Sequence, residues 1–278
     1  MTLKGEKNTD SLYFNVVHEP VTEVGLTGIP GRDHCVIVRP GQDDKIVSLC
    51  SSTYELVEND KIFPVLEKSI GSYPYQVLVR NYNDCQFNVR YIIRNESIDL
   101  PGGDTLLLMV DIDHSYDTKR RFNIGWSAYR ELCSNGLTVP YQGEYADLFN
   151  LEMDGIHSNE NVKKMLEKFT KWLPEVMNKF GTAVKETYRP LTERRINNYE
   201  DRILEVISAT NVFSEKLLSA AVAIAKSEER AALLPRTDWL AYNAINNLIF
   251  DDEVNKKMYF ERKKLDLKVV NYMLSTVG

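Results

Sequence analysis

The stretch Tyr75 to Arg94, YQVLVRNYNDCQFNVRYIIR, decides the fold. Branched and aromatic residues alternate with polar ones on both sides of an Asn-Asp pair, the pattern of two antiparallel strands joined by a tight turn. Side-chain alternation then discriminates between registers. A two-residue loop at Asn83-Asp84 pairs Arg80 with Phe87 and mixes the faces. A three-residue loop, Tyr82-Asn83-Asp84, pairs Val79 with Phe87, Val77 with Val89 and Tyr75 with Tyr91, so that all six share one face. The other face carries Gln76, Leu78, Arg80, Gln86, Asn88, Arg90, Ile92 and Arg94. It is polar and positive, which predicts an antiparallel sheet with one wetted face.

Strand patterns extend in both directions. Residues 34–39, HCVIVR, and 46–50, IVSLC, flank PGQDDK and predict a second hairpin. Pro64 precedes a short helix with Val65, Leu66 and Ile70 on one face, and Gly71 is its natural stop. TLLLMVDI, residues 105–112, is a nearly continuous apolar run and predicts a strand buried on both sides. Phe122 to Leu132 returns as its partner, and Ser134-Asn135-Gly136 suits a turn with left-handed backbone.

From about Ser158 the period changes from 2 to 3.6. Val162, Met165, Leu166, Phe169, Trp172, Leu173, Val176, Met177, Phe180 and Val184 form one stripe of a helix reaching about Thr187, with a kink expected at Pro174. Further helices are predicted over 192–208 with Thr192 as N-cap, 213–228, 238–249 with Asp238 as N-cap, and 254–275. Strands followed by helices in separate runs define an α+β protein. The expected division is a mainly antiparallel β region, residues 1–150, and an α-helical region, 151–278, packed as one unit.

The chain has 278 residues, 43% of them hydrophobic, enough to bury a large core. Its formal charge is −6, and the excess of acid lies in residues 1–150. That disfavours strong nonspecific DNA binding, although a local basic stripe is compatible with an acidic total. Cys35, Cys50, Cys85 and Cys133 form no Cys-x-x-Cys pair, so neither a zinc ribbon nor a redox dithiol is indicated. No leader core or membrane-length apolar window is present, which predicts a cytoplasmic protein without a membrane partner.

Two constellations compete for a role. Asp111 and Asp113 share a strand face and His114 follows, so the three offer hard oxygens and an imidazole to a divalent ion. The ordinary alternative is a solvated strand end paired with Lys119, Arg120 and Arg121. The second constellation is basic and aromatic: Arg80, Arg90 and Arg94 on the sheet face, Lys119, Arg120 and Arg121 on a loop, and Tyr82 nearby. These would track a phosphate backbone and stack bases, against the ordinary alternative of solvated charge. Cys133 has no local base motif and reads as a buried thiol. Gly28-Ile29-Pro30-Gly31 lacks the residues of a phosphate loop.

Three segments resemble the phage and plasmid family called domain of unknown function 932, the phage/plasmid-like protein family. They are DHCVIVRPGQDDKIVSLCSSTYELVENDKIFPVLE, YRELCSNGL and TDWLAYNAINNLI. The last two contribute Arg130, Cys133, Asn135, Gly136, Trp239, Tyr242 and Asn243. The chain departs from the family pattern after Leu137, where GEYADLFNLEMDGIHSN leaves only His157 as a loose counterpart to an Arg-His segment. A second departure is FDDE after the Trp helix. The resemblance implies a mobile-element or phage setting and supplies no catalytic residues. The leading expectation is a nonenzymatic accessory of DNA metabolism in a bacterial host. It would form a homo-oligomer that lays single-stranded DNA along the positive sheet face, with no cofactor. The rival expectations are a module that binds and neutralises a host defence protein, and a metal-dependent hydrolase using Asp111, Asp113 and His114.

Overall fold

The computed structural model describes residues 13–20, 34–39, 45–82, 85–100, 104–117, 119–120, 122–130, 135–140, 150–151, 157–232, 234–257 and 259–277. The chain is an α+β protein in which antiparallel strands come first and helices follow. The strands are β1 (Val17–Pro20), β2 (His34–Arg39), β3 (Lys45–Ser51), β4 (Tyr75–Tyr82), β5 (Gln86–Asp99), β6 (Thr105–Ser115), β7 (Asn123–Arg130), β8 (Asn135–Leu137) and β9 (Asn150–Leu151). The helices are α1 (Asn59–Ile70), α2 (Asn159–Glu193), α3 (Tyr199–Thr210), α4 (Leu218–Ala232), α5 (Asp238–Phe250) and α6 (Tyr259–Ser275). One sheet has the order β1-β2-β3 and the other β4-β5-β6-β7-β8, with β9 also paired to β7.

Two compact units are present. The first comprises residues 1–93, 110–125 and 150–175, and the second 94–109, 126–149 and 176–278. All strands but β9, together with helix α1, precede residue 150 and the other helices follow it, whereas the limits of the compact units fall inside β5, β6, β7 and α2.

The β4–β5 hairpin corrects the predicted register by two residues. Val79 pairs with Val89, Val77 with Tyr91 and Tyr82 with Gln86. Alternation fixes which residues share a face but leaves the pairing free to slide by two, and here the strands pair through Tyr82, the first residue of the predicted loop. The wetted face is also corrected: every residue from Gln86 to Ile93 is buried, the polar ones included. The predicted β2–β3 hairpin forms with Cys35 opposite Cys50, and the register shifts at Ile37/Val38. β6 is buried along all but its first residue, as its apolar run requires.

α1 begins before Pro64 and buries Ile62, Phe63, Leu66 and Ile70, each worth about 1.5–3 kcal/mol of burial. Val65, expected on the buried face, is 42% exposed. Gly71 ends the helix with right-handed backbone (φ −60°). The Oγ atoms of Ser69 in α1 and Thr170 in α2 are 2.7 Å apart.

α2 runs through Pro174 and Pro190 to Glu193. Thr192, expected to cap the next helix, therefore lies inside α2, where its hydroxyl donates to Arg189 O at 2.8 Å. Asn198 caps α3 instead, its side chain accepting from Glu200 N at 2.9 Å. Asn211 closes α3 with left-handed backbone (φ 49°) and an N–H bond to Ile207 O. α5 is buried at every position except Asn247, because its apolar residues surround the helix instead of forming a stripe.

Candidate functional site

In the first unit, the polar residues of β5 meet the carboxylates of β6. Arg90 is only 5% exposed, donates through Nε to Asn88 Oδ1 at 3.0 Å and lies 3.8 Å from Asp111 Oδ1. Asn88 donates to Asp113 Oδ1 at 3.1 Å, and Arg120 Nη1 lies 3.6 Å from that oxygen. Gln86 donates to Asp117 Oδ2. Gln86, Asn88 and Arg90, which polarity placed on a wet face, thus form a buried row in which amides hydrogen-bond to the carboxylates and Arg90 and Arg120 offset their charge.

This placement divides the metal constellation and withdraws Arg90 from the basic one. Asp111 and Asp113 face Arg90, Asn88 and Arg120, whereas His114, one residue on, points to the opposite face among Phe87, Tyr116 and Phe122. No cluster of three or more metal-ligating side chains occurs among the described residues. Of the basic set, Arg90 is buried and Arg120 leans on Asp113, while Arg94 is exposed and Lys119 is exposed 3.7 Å from Asp117. The side chains of Arg80 and Tyr82, and Arg121 as a whole, lie outside the described residues.

In the second unit, Trp239, Tyr242 and Gly136 lie in a buried network that includes residues no motif suggested. Asp104 Oδ2 accepts from Arg130 Nε at 2.6 Å and from Trp239 Nε1 at 2.8 Å, and Arg130 Nη1 reaches Glu228 at 2.8 Å. Asp266 accepts from Tyr242 OH at 3.0 Å, Asn246 Nδ2 at 2.9 Å and Thr138 N at 2.8 Å. Burial raises its carboxyl to about 6 against the opposing pull of these donors. Tyr188 donates to Thr138 O and packs edge-on against Trp239. Asn243 turns back to Trp239 O within its own helix.

Asn135 and Gly136 correct the predicted turn. Both lie in β8, paired with Arg130 and Tyr129 of β7. Gly136 is needed for close approach: a Cβ there would stand 2.6 Å from Met109 Cε and 2.7 Å from the Tyr259 hydroxyl. Cys133, Ser134 and the Asn135 side chain lie outside the described residues.

One run of exposed cations missed by sequence lies on α2. Lys163 and Lys164 have side chains 77% and 64% exposed, and Lys168 and Lys171 are exposed one and two turns further on. Trp172, assigned by spacing to the core stripe, is half-buried, with Lys168 Nζ 5.3 Å from its ring centre. Glu160 and Glu167 pair with Lys164 and Lys163 at 2.6 and 4.0 Å. The helical spacing of 164, 168 and 171 was available in the sequence, but interleaved acids hid it.

The fold and these sites define an α+β protein with internally paired polar groups in each unit. No family model, curated protein or solved structure matches the chain. No helix among the described residues is long and apolar enough to cross a membrane.

Proposed function

We propose that the protein is a nonenzymatic accessory of phage or mobile-element DNA metabolism that binds single-stranded DNA. The supporting observation is the exposed face of α2, where Lys164, Lys168 and Lys171 stand beside Trp172. Lysines at helical spacing follow a phosphate backbone, and a half-buried indole stacks a base on its ring face without regard to sequence once the Lys168 ammonium over that ring turns to a phosphate. The sheet face first expected to bind DNA lacks the central Arg90, which is buried against Asp111. The setting in a mobile element rests on the three-segment resemblance.

Tryptophan fluorescence tests this directly. Trp126 and Trp239 are each 3% exposed, which leaves Trp172 as the accessible indole of the three. Addition of oligothymidylate is expected to quench emission at low salt, and Trp172→Phe to abolish the quench. Emission unchanged by the oligonucleotide would reject the proposal.

A protein-binding role has its own support. β3 is at the edge of its sheet among the described strands and exposes Ile46 at 44% and Leu49 at 47%. Exposed apolar side chains on a strand edge favour pairing with another chain. If Ile46→Thr with Leu49→Thr removes a stoichiometric host partner while the fluorescence response persists, this second role stands independently.

A further inference from the structure

Four rings of the first unit stack in the order Tyr54, His157, His114, Phe87. Tyr54 and His157 have centroids 5.5 Å apart with planes at 4°, and His157 and His114 are separated by 5.8 Å with planes at 21°. Phe87 continues the stack at 6.3 Å, and Tyr116 and Phe122 close on His114 edge-on. His114 is fully buried. Its Nε2 lies 2.9 Å from Val57 O, and because a carbonyl only accepts, that nitrogen carries the proton. Its Nδ1 and both ring nitrogens of His157 are buried without a hydrogen-bond partner among the described residues.

The stack grips a definite segment. Asn159, at the start of α2, donates from its amide side chain to Glu55 Oε1 at 2.7 Å and to Leu56 O at 3.3 Å, and its backbone N–H reaches Glu55 Oε1 at 3.0 Å. Tyr54 OH reaches Ser115 O at 3.5 Å. Residues 54–57 are therefore held by β6 and by the first residues of α2, with His157 stacked directly on Tyr54. The other ionisable groups acting on the stack are Glu55, Glu58 and Asp60 from the held segment and α1, Tyr116 and Asp117 at the end of β6, and Cys50 of β3. Of these, Glu55 favours a charged His157, but burial opposes it more strongly.

An imidazolium in this position would present two N–H donors and a positive charge with no hydrogen-bond acceptor at its ring nitrogens among the described residues. The faces of Tyr54 and neutral His114 attract a stacked cation only weakly compared with the hydration it loses on burial. We propose that the His114–His157 stack is a pH-operated latch: neutral, it holds residues 54–57 to the start of α2, and protonation of His157 drives its ring out of the stack and frees that segment. Such a latch would change the accessible surface around Tyr54 without a bound ligand.

Hydrogen exchange of a peptide covering residues 52–60, corrected for the intrinsic pH dependence of exchange, reads the latch. In the wild type, opening is expected to rise about tenfold on going from neutral to mildly acid pH. His157→Phe retains a flat ring that does not titrate and is expected to abolish the rise. A flat wild-type profile, or an equal rise in the variant, overturns the proposal. Should His157→Phe fail to fold, ring-carbon NMR of the wild type decides. Titration of His157 together with loss of protection supports the latch, and titration with protection intact overturns it.

Discussion

At the scale of single residues, two buried ionisable groups give opposite pH dependences. Burial, with the neighbouring His157 as a lesser cause, lowers His114 from 6.5 to about 3. The unfolded chain binds this proton first, so the stabilisation is fully present above 6.5 and is lost as pH falls towards 3, at up to about 1.4 kcal/mol per pH unit. Asp266 is raised from 3.8 to about 6, so its stabilisation is present below 3.8 and is lost as pH rises through 6. Between about 4 and 6 the two slopes oppose each other. Urea unfolding across this range is therefore expected to show Asp266→Asn losing stability more steeply than wild type on acidification, and His114→Phe less steeply. Identical slopes in all three proteins would refute both assignments. Gly136→Ala is a simpler test: its Cβ would meet Met109 and the buried Tyr259 hydroxyl, so thermal unfolding should report a loss of about 1–3 kcal/mol.

Among the elements, β6 and α5 organise the buried polar groups. Asp104, just before β6, holds Arg130 of β7 and Trp239 of α5 on one carboxylate oxygen. Asp104→Ala removes both bonds and leaves a guanidinium and an indole N–H buried, for an expected loss of about 3 kcal/mol or more in denaturant midpoint analysis. The strands and most helices were legible in the sequence because period 2 and period 3.6 are direct consequences of backbone geometry. The hairpin register was legible only to within two residues. The role of Arg90 was not legible at all, because polarity along β5 does not reveal that β6 answers it with Asp111 and Asp113. Trp239, Tyr242 and Gly136 stood out in the sequence, but Asp104, Asn246 and Asp266 did not: each is a lone polar residue 20 or more positions from its partner.

For the whole molecule, Asp111 and Asp113 in one unit and Asp104 and Asp266 in the other are answered by buried donors and cations, and the cations at the surface of α2 support a binding role. The central test is binding of fluorescent single-stranded DNA at two salt concentrations by wild type and by the Lys164→Ala, Lys168→Ala, Lys171→Ala triple variant. Wild-type affinity is expected to fall with salt, and the variant's log-affinity slope against log salt to be shallower by about 2, near 0.7 for each lost phosphate contact. Absence of wild-type binding, or the same affinity and salt slope in the variant, would contradict single-stranded DNA as the ligand of this helix.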